Sequence, residues 1–383
     1  MALDFSFSKE QNDWREYVRE FANRELKPHT QAWDSRAILP RDAIRAMGKA
    51  GILGVIGRKD LGGQGLDYVS LGIAIEELAA VDISCSLIAW HQATHTHFLP
   101  GWGDDVIRQV HAGECVVALA TSEKNAGSDL SAIQATAERE GEDYILEGEK
   151  VHVSTIPGAD ILAVSAKVHA EGEDKPKMIL LKVPTNSQGV TVEMAEQMGA
   201  KAHSLGTVRL NQVRVPVAAT LGNEGEGKSL MYARFNVSRC LSPIAALGCA
   251  RSVLKETIEF VSNRHVFGRP IGVNQSISFP IVEHHTRIEA GRLLAYKALV
   301  ANDRGEDASE DAAMAKWFGI STGLSTIQEC LQMFGAQGYL KEQGIEQKLR
   351  DVQAFLFTGG TMNIMKILLV RHVMGPEFAG LRS

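Results

Sequence analysis

Tyr144-Ile145-Leu146, Ile161-Leu162-Ala163-Val164, Met178-Ile179-Leu180-Leu181 and Val208-Arg209-Leu210 are short β-type runs parted by turn residues, in the middle of a chain that otherwise reads as helix. Several alternate apolar with polar at period two, the pattern of half-buried antiparallel strands. The β region runs from about Cys115 to Pro216 and ends at Asn223-Glu224-Gly225-Glu226-Gly227. Before it, Ser8 with Gln11 three residues on is a helix-start signature, and Trp14, Val18, Phe21 and Ala22 follow at helix spacing. The break Leu61-Gly62-Gly63-Gln64-Gly65 leads into a helix over 68–80, and another is expected over 84–98. Helical patterns resume at Lys228, broken near 264–275, 302–307 and 335–344. The expected class is therefore α+β. A helical domain should cover residues 1–114, a β domain 115–222 and a second helical domain 223–383.

The bulk numbers narrow the function. A chain of 383 residues exceeds what one core usually serves, and 45% hydrophobic with 22% charged residues excludes disorder. The balance of 40 Lys+Arg against 46 Asp+Glu, net −6, argues against a nucleic-acid surface. No apolar run is long enough for a membrane span, and Met1-Ala2-Leu3-Asp4-Phe5 lacks the basic start and apolar stretch of a secretion signal. Cys85, Cys115, Cys240, Cys249 and Cys330 are scattered and never form CxxC. They read as reduced core thiols rather than disulfides or metal ligands, so a cytoplasmic protein without a metal site is expected.

Four segments carry more specific information. They are Ala120-Thr121-Ser122-Glu123-Lys124-Asn125-Ala126-Gly127-Ser128-Asp129, Gly148-Glu149-Lys150-Val151-His152-Val153-Ser154, Arg264-His265-Val266-Phe267-Gly268-Arg269-Pro270-Ile271 with Gln275, and Gln332-Met333-Phe334-Gly335-Ala336-Gln337-Gly338-Tyr339 with Arg350-Asp351. The first offers small residues, free backbone N–H groups and hydroxyls, which suit close approach to a ring system and a phosphate. In this order the four resemble the acyl-CoA dehydrogenase family of FAD flavoproteins, over essentially the whole chain. The resemblance implies a helical domain, a middle antiparallel β domain and a C-terminal four-helix bundle. It implies FAD held by Ser122, Ser128, His152 and Ser154. Arg264, Gln332 and Gly335 would reach the FAD of a neighbouring subunit, and Phe267, Gln275, Thr361 and Asn363 would add to FAD binding. Asn236, Ser238, Arg239 and Gly359 would line the substrate. An acyl-CoA substrate, an electron-transfer flavoprotein as acceptor and a homotetramer also follow from the resemblance.

One departure matters for chemistry. Removing an α-proton from an acyl thioester needs a base. The family's glutamate falls, by match to Phe357-Thr358-Gly359-Gly360-Thr361-Met362-Asn363-Ile364, on Gly359; its alternative position falls on Ser238. Neither side chain is a competent base. The stretch Trp90-His91-Gln92-Ala93-Thr94-His95-Thr96-His97 offers imidazoles instead. His91 and His95 share a helix face while His97 points elsewhere, and an imidazole is a competent base near neutral pH. His91 is favoured as the base, then His95, then His97; Glu283 and His285 are weaker alternatives. Asp129 and the pair Glu76-Glu77 are expected to be structural, and Met362, Met365 and Met374 to lie in the core. A branch of the family acting on alicyclic thioesters similarly lacks the glutamate, so an alicyclic or otherwise unusual acyl group is expected. The alternatives are an enoyl-CoA reductase, a flavin oxidase or monooxygenase, and a non-catalytic flavin-binding scaffold.

Overall fold

A computed structural model describes residues 6–169 and 175–380; the start Met1-Ala2-Leu3-Asp4-Phe5 lies outside the described residues. The first helical layer comprises α1 (Lys9–Phe21), α2 (Thr30–Arg36), α3 (Arg41–Lys49), α4 (Tyr68–Ala79), α5 (Ile83–Phe98) and α6 (Asp104–Ala112). α1 opens with the reciprocal cap its sequence specifies: Gln11 N donates to Ser8 Oγ at 3.2 Å and Ser8 N to Gln11 Oε1 at 3.1 Å. Asp67 and Asp82 cap α4 and α5 by accepting from Ser70 N and Cys85 N, each at 2.7 Å. These two helices are apolar around most of their circumference, which suits only an interior position. Every residue from Val69 to Ala79 and from Ile83 to Thr96 is buried.

The sheet contains β1 (Val117–Ala120), β2 (Thr136–Glu140), β3 (Asp143–Ser154), β4 (Ile161–Val168), β5 (Lys177–Pro184), β6 (Val190–Ala195) and β7 (Leu205–Pro216), in the order β1-β4-β2-β3-β7-β6 with β5 on β4. It is not wholly antiparallel as expected. β1 runs parallel to β4, from Val117↔Ile161 to Ala120↔Val164, and β2 meets β4 in parallel at Thr136↔Lys167. Parallel neighbours need a long crossover, and the β2–β3 hairpin lies within the connection from β1 to β4. Accordingly β4 is buried without a break from Leu162 to Ala166, as strands covered on both faces are.

α7 (Gly227–Asn263), the short hairpin β8 (His265–Val266) and β9 (Arg269–Pro270), α8 (Gln275–Asp303), α9 (Ser309–Met333), α10 (Ile345–Val352) and α11 (Met362–Val373) follow. α7, α8 and α9 pack mutually, α11 lies along α9, and α7 also covers α4 and α5. Met365 is buried in this layer, whereas Met374 is exposed. One turn of α10 ties the layers together. Arg350 donates to Asp34 Oδ2 at 2.8 Å and Met198 O at 2.9 Å, and Asp351 Oδ1 accepts from Ala200 N at 2.6 Å. All five cysteines are free thiols and buried.

Candidate active site

Gln92 fixes α5 to the sheet. Its amide donates to Val117 O and accepts from Val117 N, both at 2.9 Å, satisfying the outer edge of β1. His91 and His95, one turn apart on α5, therefore sit at that edge with ring centroids 5.4 Å apart. His91 Nδ1 shares a hydrogen bond of 3.0 Å with His203 Nε2. His203 lies on the turn Lys201–His203, and its carbonyl accepts from Thr155 N at 3.0 Å, which sets the imidazoles beside the Ser154 end of β3. Arg234 of α7 completes the cluster, its charge bearing on both His91 and His95. All four side chains are buried; Arg234 Nε lacks a partner among the described residues, and His95 has only the Val117 backbone near its ring.

Burial disfavours every charge here. It pulls His203 down to about 3. It also drives His91 and His95 well below the ordinary imidazole value, with His203 and Arg234 adding repulsion at His91, and Arg234 then His203 at His95. Burial lowers Arg234 to about 9. At neutral pH the cluster is three neutral imidazoles and one guanidinium. His97 stands apart from it, with Nε2 3.0 Å from the Tyr68 hydroxyl.

The positions flagged for a missing carboxylate adjoin this cluster. Trp90 donates Nε1 to Ser238 Oγ at 3.2 Å and stacks on Phe355 with centroids 6.4 Å apart. Arg239 reaches Asn236 Oδ1 at 3.4 Å and Gly359 O at 3.5 Å. Lys316, fully buried on α9, donates to Thr358 O and, at 2.6 Å, to Gly360 O. A Cβ built on Gly359 would stand 3.7 Å from Lys316 Nζ. Burial, with Arg239 adding repulsion, lowers Lys316 to about 7. His203, Arg234 and Lys316 escaped sequence reasoning. Arg234 is four residues before Ser238 and so shares its helix face, which was an available signal. Lys316 is a charge inside the apolar run Ala315-Lys316-Trp317-Phe318, also a signal. His203 sits in an unpatterned loop and had none.

A cradle opens alongside. Val151 N donates to Ser122 O at 2.8 Å, joining the segment after β1 to β3. Beneath it, the buried Lys150 donates to Glu123 Oε1 at 2.7 Å and Ser165 Oγ at 3.1 Å, and Glu123 accepts from Gln134 N at 2.6 Å and Ala135 N at 3.0 Å. The Ser122, Ser128 and Ser154 hydroxyls have no partner among the described residues. A Cβ on Gly127 would meet nothing within 4 Å, and His152 is exposed with φ of +56° at a bulge of β3. Free hydroxyls on a rigid base beside open space fit a planar ligand carrying phosphate. Asp129 acts as the turn residue expected, accepting from Ser131 N at 2.9 Å.

The remaining sequence candidates fall elsewhere. Arg264, Phe267, Gln275, Gln332 and Gly335 are all exposed; the ends of α7 and α9 that carry Arg264 and Gln332 meet where Phe260 stacks on Phe334 at 4.3 Å. Thr361 caps α11 by accepting from Ile364 N at 3.3 Å, and Asn363 is exposed. Glu283 and His285 are exposed on α8. A cavity of about 900 Å³ lies away from this chemistry. It runs between α1, the start of α5, α7 and α10, and charges on its wall such as Arg251 with Glu77 and Lys348 with Glu256 are already paired.

Three family models match in chain order: the acyl-CoA dehydrogenase N-terminal domain over residues 8–111, the middle domain over 118–213 and the C-terminal domain over 225–374. An acyl-CoA dehydrogenase of Bacillus subtilis (strain 168) is 30% identical over 375 residues, which is 96% of this chain and 99% of that protein. Among solved structures, butyryl-CoA dehydrogenase from Megasphaera elsdenii matches with a TM-score of 0.91 at 26% identity, over 97% of this chain and 100% of the other. The FAD complex of PigA matches with the same TM-score of 0.91 at 25% identity, again over 97% and 100%. With three domains matched in order along nearly its full length, the chain belongs to the acyl-CoA dehydrogenase family, a family of FAD-dependent oxidoreductases.

Proposed function

We propose that the protein oxidises the α,β CH–CH bond of an acyl-CoA thioester, with FAD as cofactor and His91 as the base. The observation that supports this reading is the His91–His203 pair, which sets an imidazole next to Trp90, the partner of Ser238, and beside the Ser154 end of the cradle. With His91 Nδ1–H donated to His203 Nε2, His91 Nε2 is left as the basic atom, and it has no hydrogen-bond partner among the described residues. Burial keeps that imidazole neutral at physiological pH, so its free nitrogen can take a proton, while lowering its basicity. Neutral His203 in turn holds the tautomer.

Ser122, Ser128, His152 and Ser154 would hold FAD, which supplies the acceptor for the β-hydride. The substrate then loses its α-proton to His91 and two electrons with the β-hydride, leaving an α,β-unsaturated thioester. Arg239 and Asn236 would position the thioester, and Lys316 would fix the carbonyls that flank Gly359. Electrons would pass on to an electron-transfer flavoprotein. Val266, Phe267, Val273, Phe279, Val282 and Leu293 are exposed along the hairpin and α8. Their exposure supports a tetramer in which a second copy covers them and Arg264 and Gln332 reach its FAD.

The test is anaerobic bleaching of the flavin by saturated CoA thioesters, wild type beside His91→Ala. Loss of the base should slow bleaching by roughly 100-fold or more. Equal rates would remove His91 from the chemistry, and no bleaching by any thioester would remove the oxidation itself.

A further inference from the structure

The turn that carries His203 is gripped from its other side by α10. Ala200 N donates to Asp351 Oδ1 at 2.6 Å, and Arg350 donates to Met198 O at 2.9 Å. Gly199 closes the contact. A Cβ built there would stand 2.4 Å from the Arg350 carbonyl carbon and oxygen and 2.6 Å from Asp351 N, so the two backbones meet with no room for a side chain. Beyond Gly199 the turn is braced within itself. Gln197 donates Nε2 to Gly199 O at 3.0 Å and Ala200 O at 2.6 Å, His203 N donates to Ala200 O at 3.0 Å, and Ser204 N to Lys201 O at 3.1 Å. Ala200 and Ser204 hold φ of +50° and +43°, left-handed conformations that residues with a Cβ keep only where their surroundings impose them. Asp351 is 2% exposed, and burial pushes its carboxyl up to about 8 against the pull of the Ala200 bond. The neutral acid still accepts that bond through its carbonyl oxygen.

We propose that Asp351 and Gly199 are positioning residues for the base: by clamping the 197–204 turn to α10 they hold His203 against His91 and keep His91 Nε2 free to take the substrate proton. This rests on the role given to His91 above. Gln92 fixes α5 to the sheet, so the distance between the two imidazoles is set by where the turn stands. The turn is held at two places. Thr155 N, at the end of β3, donates to the carbonyls of His203 and Ser204 at 3.0 and 2.9 Å, and α10 holds Ala200, to which His203 N is bonded. Released from α10, the turn keeps the first hold and loses the second. His203 then shifts, His91 Nδ1 loses its partner, and the ring proton is free to sit on either nitrogen. With the hydrogen on Nε2 the imidazole has no lone pair there for the substrate. A displacement of about 1 Å in a reacting group is enough to cost much of a rate.

The test reads the imidazole first and the reaction second. In substrate-free holoprotein carrying isotope-labelled histidine, the His91 ring nitrogens are followed by NMR, assigned by their loss in His91→Ala. Wild type should show one protonated and one bare nitrogen, and Asp351→Ala and Gly199→Ala an averaged pair. Gly199→Ala leaves every buried hydrogen-bonding group in place, so it carries the test if loss of the Asp351 carboxyl prevents folding. Asp351→Asn keeps an accepting oxygen and should restore the wild-type pattern. Lys348→Met loosens α10 from Glu256 of α7 without touching the turn, and should leave the pattern unchanged. Flavin bleaching by thioester should slow on the order of tenfold in Asp351→Ala and Gly199→Ala. Neither substitution should slow His91→Ala further, because a residue acting through His91 then has nothing to act on. An averaged pair in wild type, a pattern unmoved in both clamp variants, or averaging in Lys348→Met as large as theirs overturns the clamp. Further slowing of His91→Ala does the same. The spectra need no turnover, which separates the two proposals. The expected spectra without bleaching of wild type keep the clamp and sink oxidation; bleaching with His91 unmoved in the clamp variants keeps oxidation and sinks the clamp.

Discussion

Glu76 and Glu77 of α4 and the histidines of α5 are equally deep in the fold, yet their surroundings are opposite. Glu77 accepts from Arg15 at 2.9 Å, Arg19 at 3.0 Å and Arg251 at 2.8 Å, and Glu76 accepts from Arg292 and the Tyr296 hydroxyl, each at 2.7 Å. Four helices, α1, α4, α7 and α8, are cross-linked there by groups that leave nothing unsatisfied. The α5 cluster has a guanidinium and three imidazoles with no acid bonded to them among the described residues. The same α7 that supplies Arg251 to the first supplies Arg234 to the second. Buried polar groups are bonded in the overwhelming majority of native positions. A complete buried network therefore marks architecture, and an incomplete one marks where a ligand completes it.

The strongest way to break that contrast is at Glu77. Glu77→Ala strands three arginines and should cost about 3–5 kcal/mol of unfolding free energy by urea titration. Burial pushes the Glu77 carboxyl up, but bonds from Arg19, Arg251 and Arg15 outweigh it and hold the pKa at about 2, below its ordinary value of 4.5. A carboxyl depressed on folding contributes stability that is present above pH 4.5 and lost as pH falls towards about 2. Glu77→Gln should flatten that part of the profile. A profile unchanged by the substitution would mean the network holds nothing.

Lys316 tests an intermediate case, a buried cation whose partners are carbonyls. Lys316→Met leaves the Thr358 and Gly360 carbonyls unbonded, and the loss should be about 1–3 kcal/mol. Burial lowers its pKa from 10.5 to about 7, so the unfolded chain binds the extra proton between those values. Wild-type stability should rise with pH across that window, and the methionine variant should lack the rise. A falling wild-type profile would show that the amine is charged in place.

Much of this contrast was legible in the sequence in parts. The Ser8–Gln11 cap, the glycine break before α4 and the i, i+4 spacing of His91 and His95 are local, and local signals survive folding. The structural roles of Asp129, Glu76 and Glu77 were also readable, since charges on a helix or turn need only nearby partners. What closes the site is not local. His203 is 112 residues from His91, and Arg234 arrives on a helix from another domain. The parallel β1–β4 pairing was hidden for the same reason, because the crossover that allows it is a property of topology rather than of either strand. Ser122, Ser128 and Ser154 were legible as residue types, and the freedom of their hydroxyls only in three dimensions.

Arg209 gives the smallest effect and the sharpest control. On β7 it joins Glu149 of β3 at 2.8 Å and Glu193 of β6 at 2.9 Å, so by contact geometry it rivals Glu77, with two carboxylates spanning three strands. The difference is water. All three side chains are about half exposed or more, whereas the Glu77 side chain is 3% exposed. Exposed charges exchange one hydrated partner for another and are screened by salt. Arg209→Ala should leave the urea midpoint at its wild-type position in low and in high salt, while Glu77→Ala shifts it in both. If Arg209→Ala destabilises as much as Glu77→Ala does, then contact count rather than burial governs these clusters, and the unpartnered Arg234 loses its significance as a sign of a missing ligand.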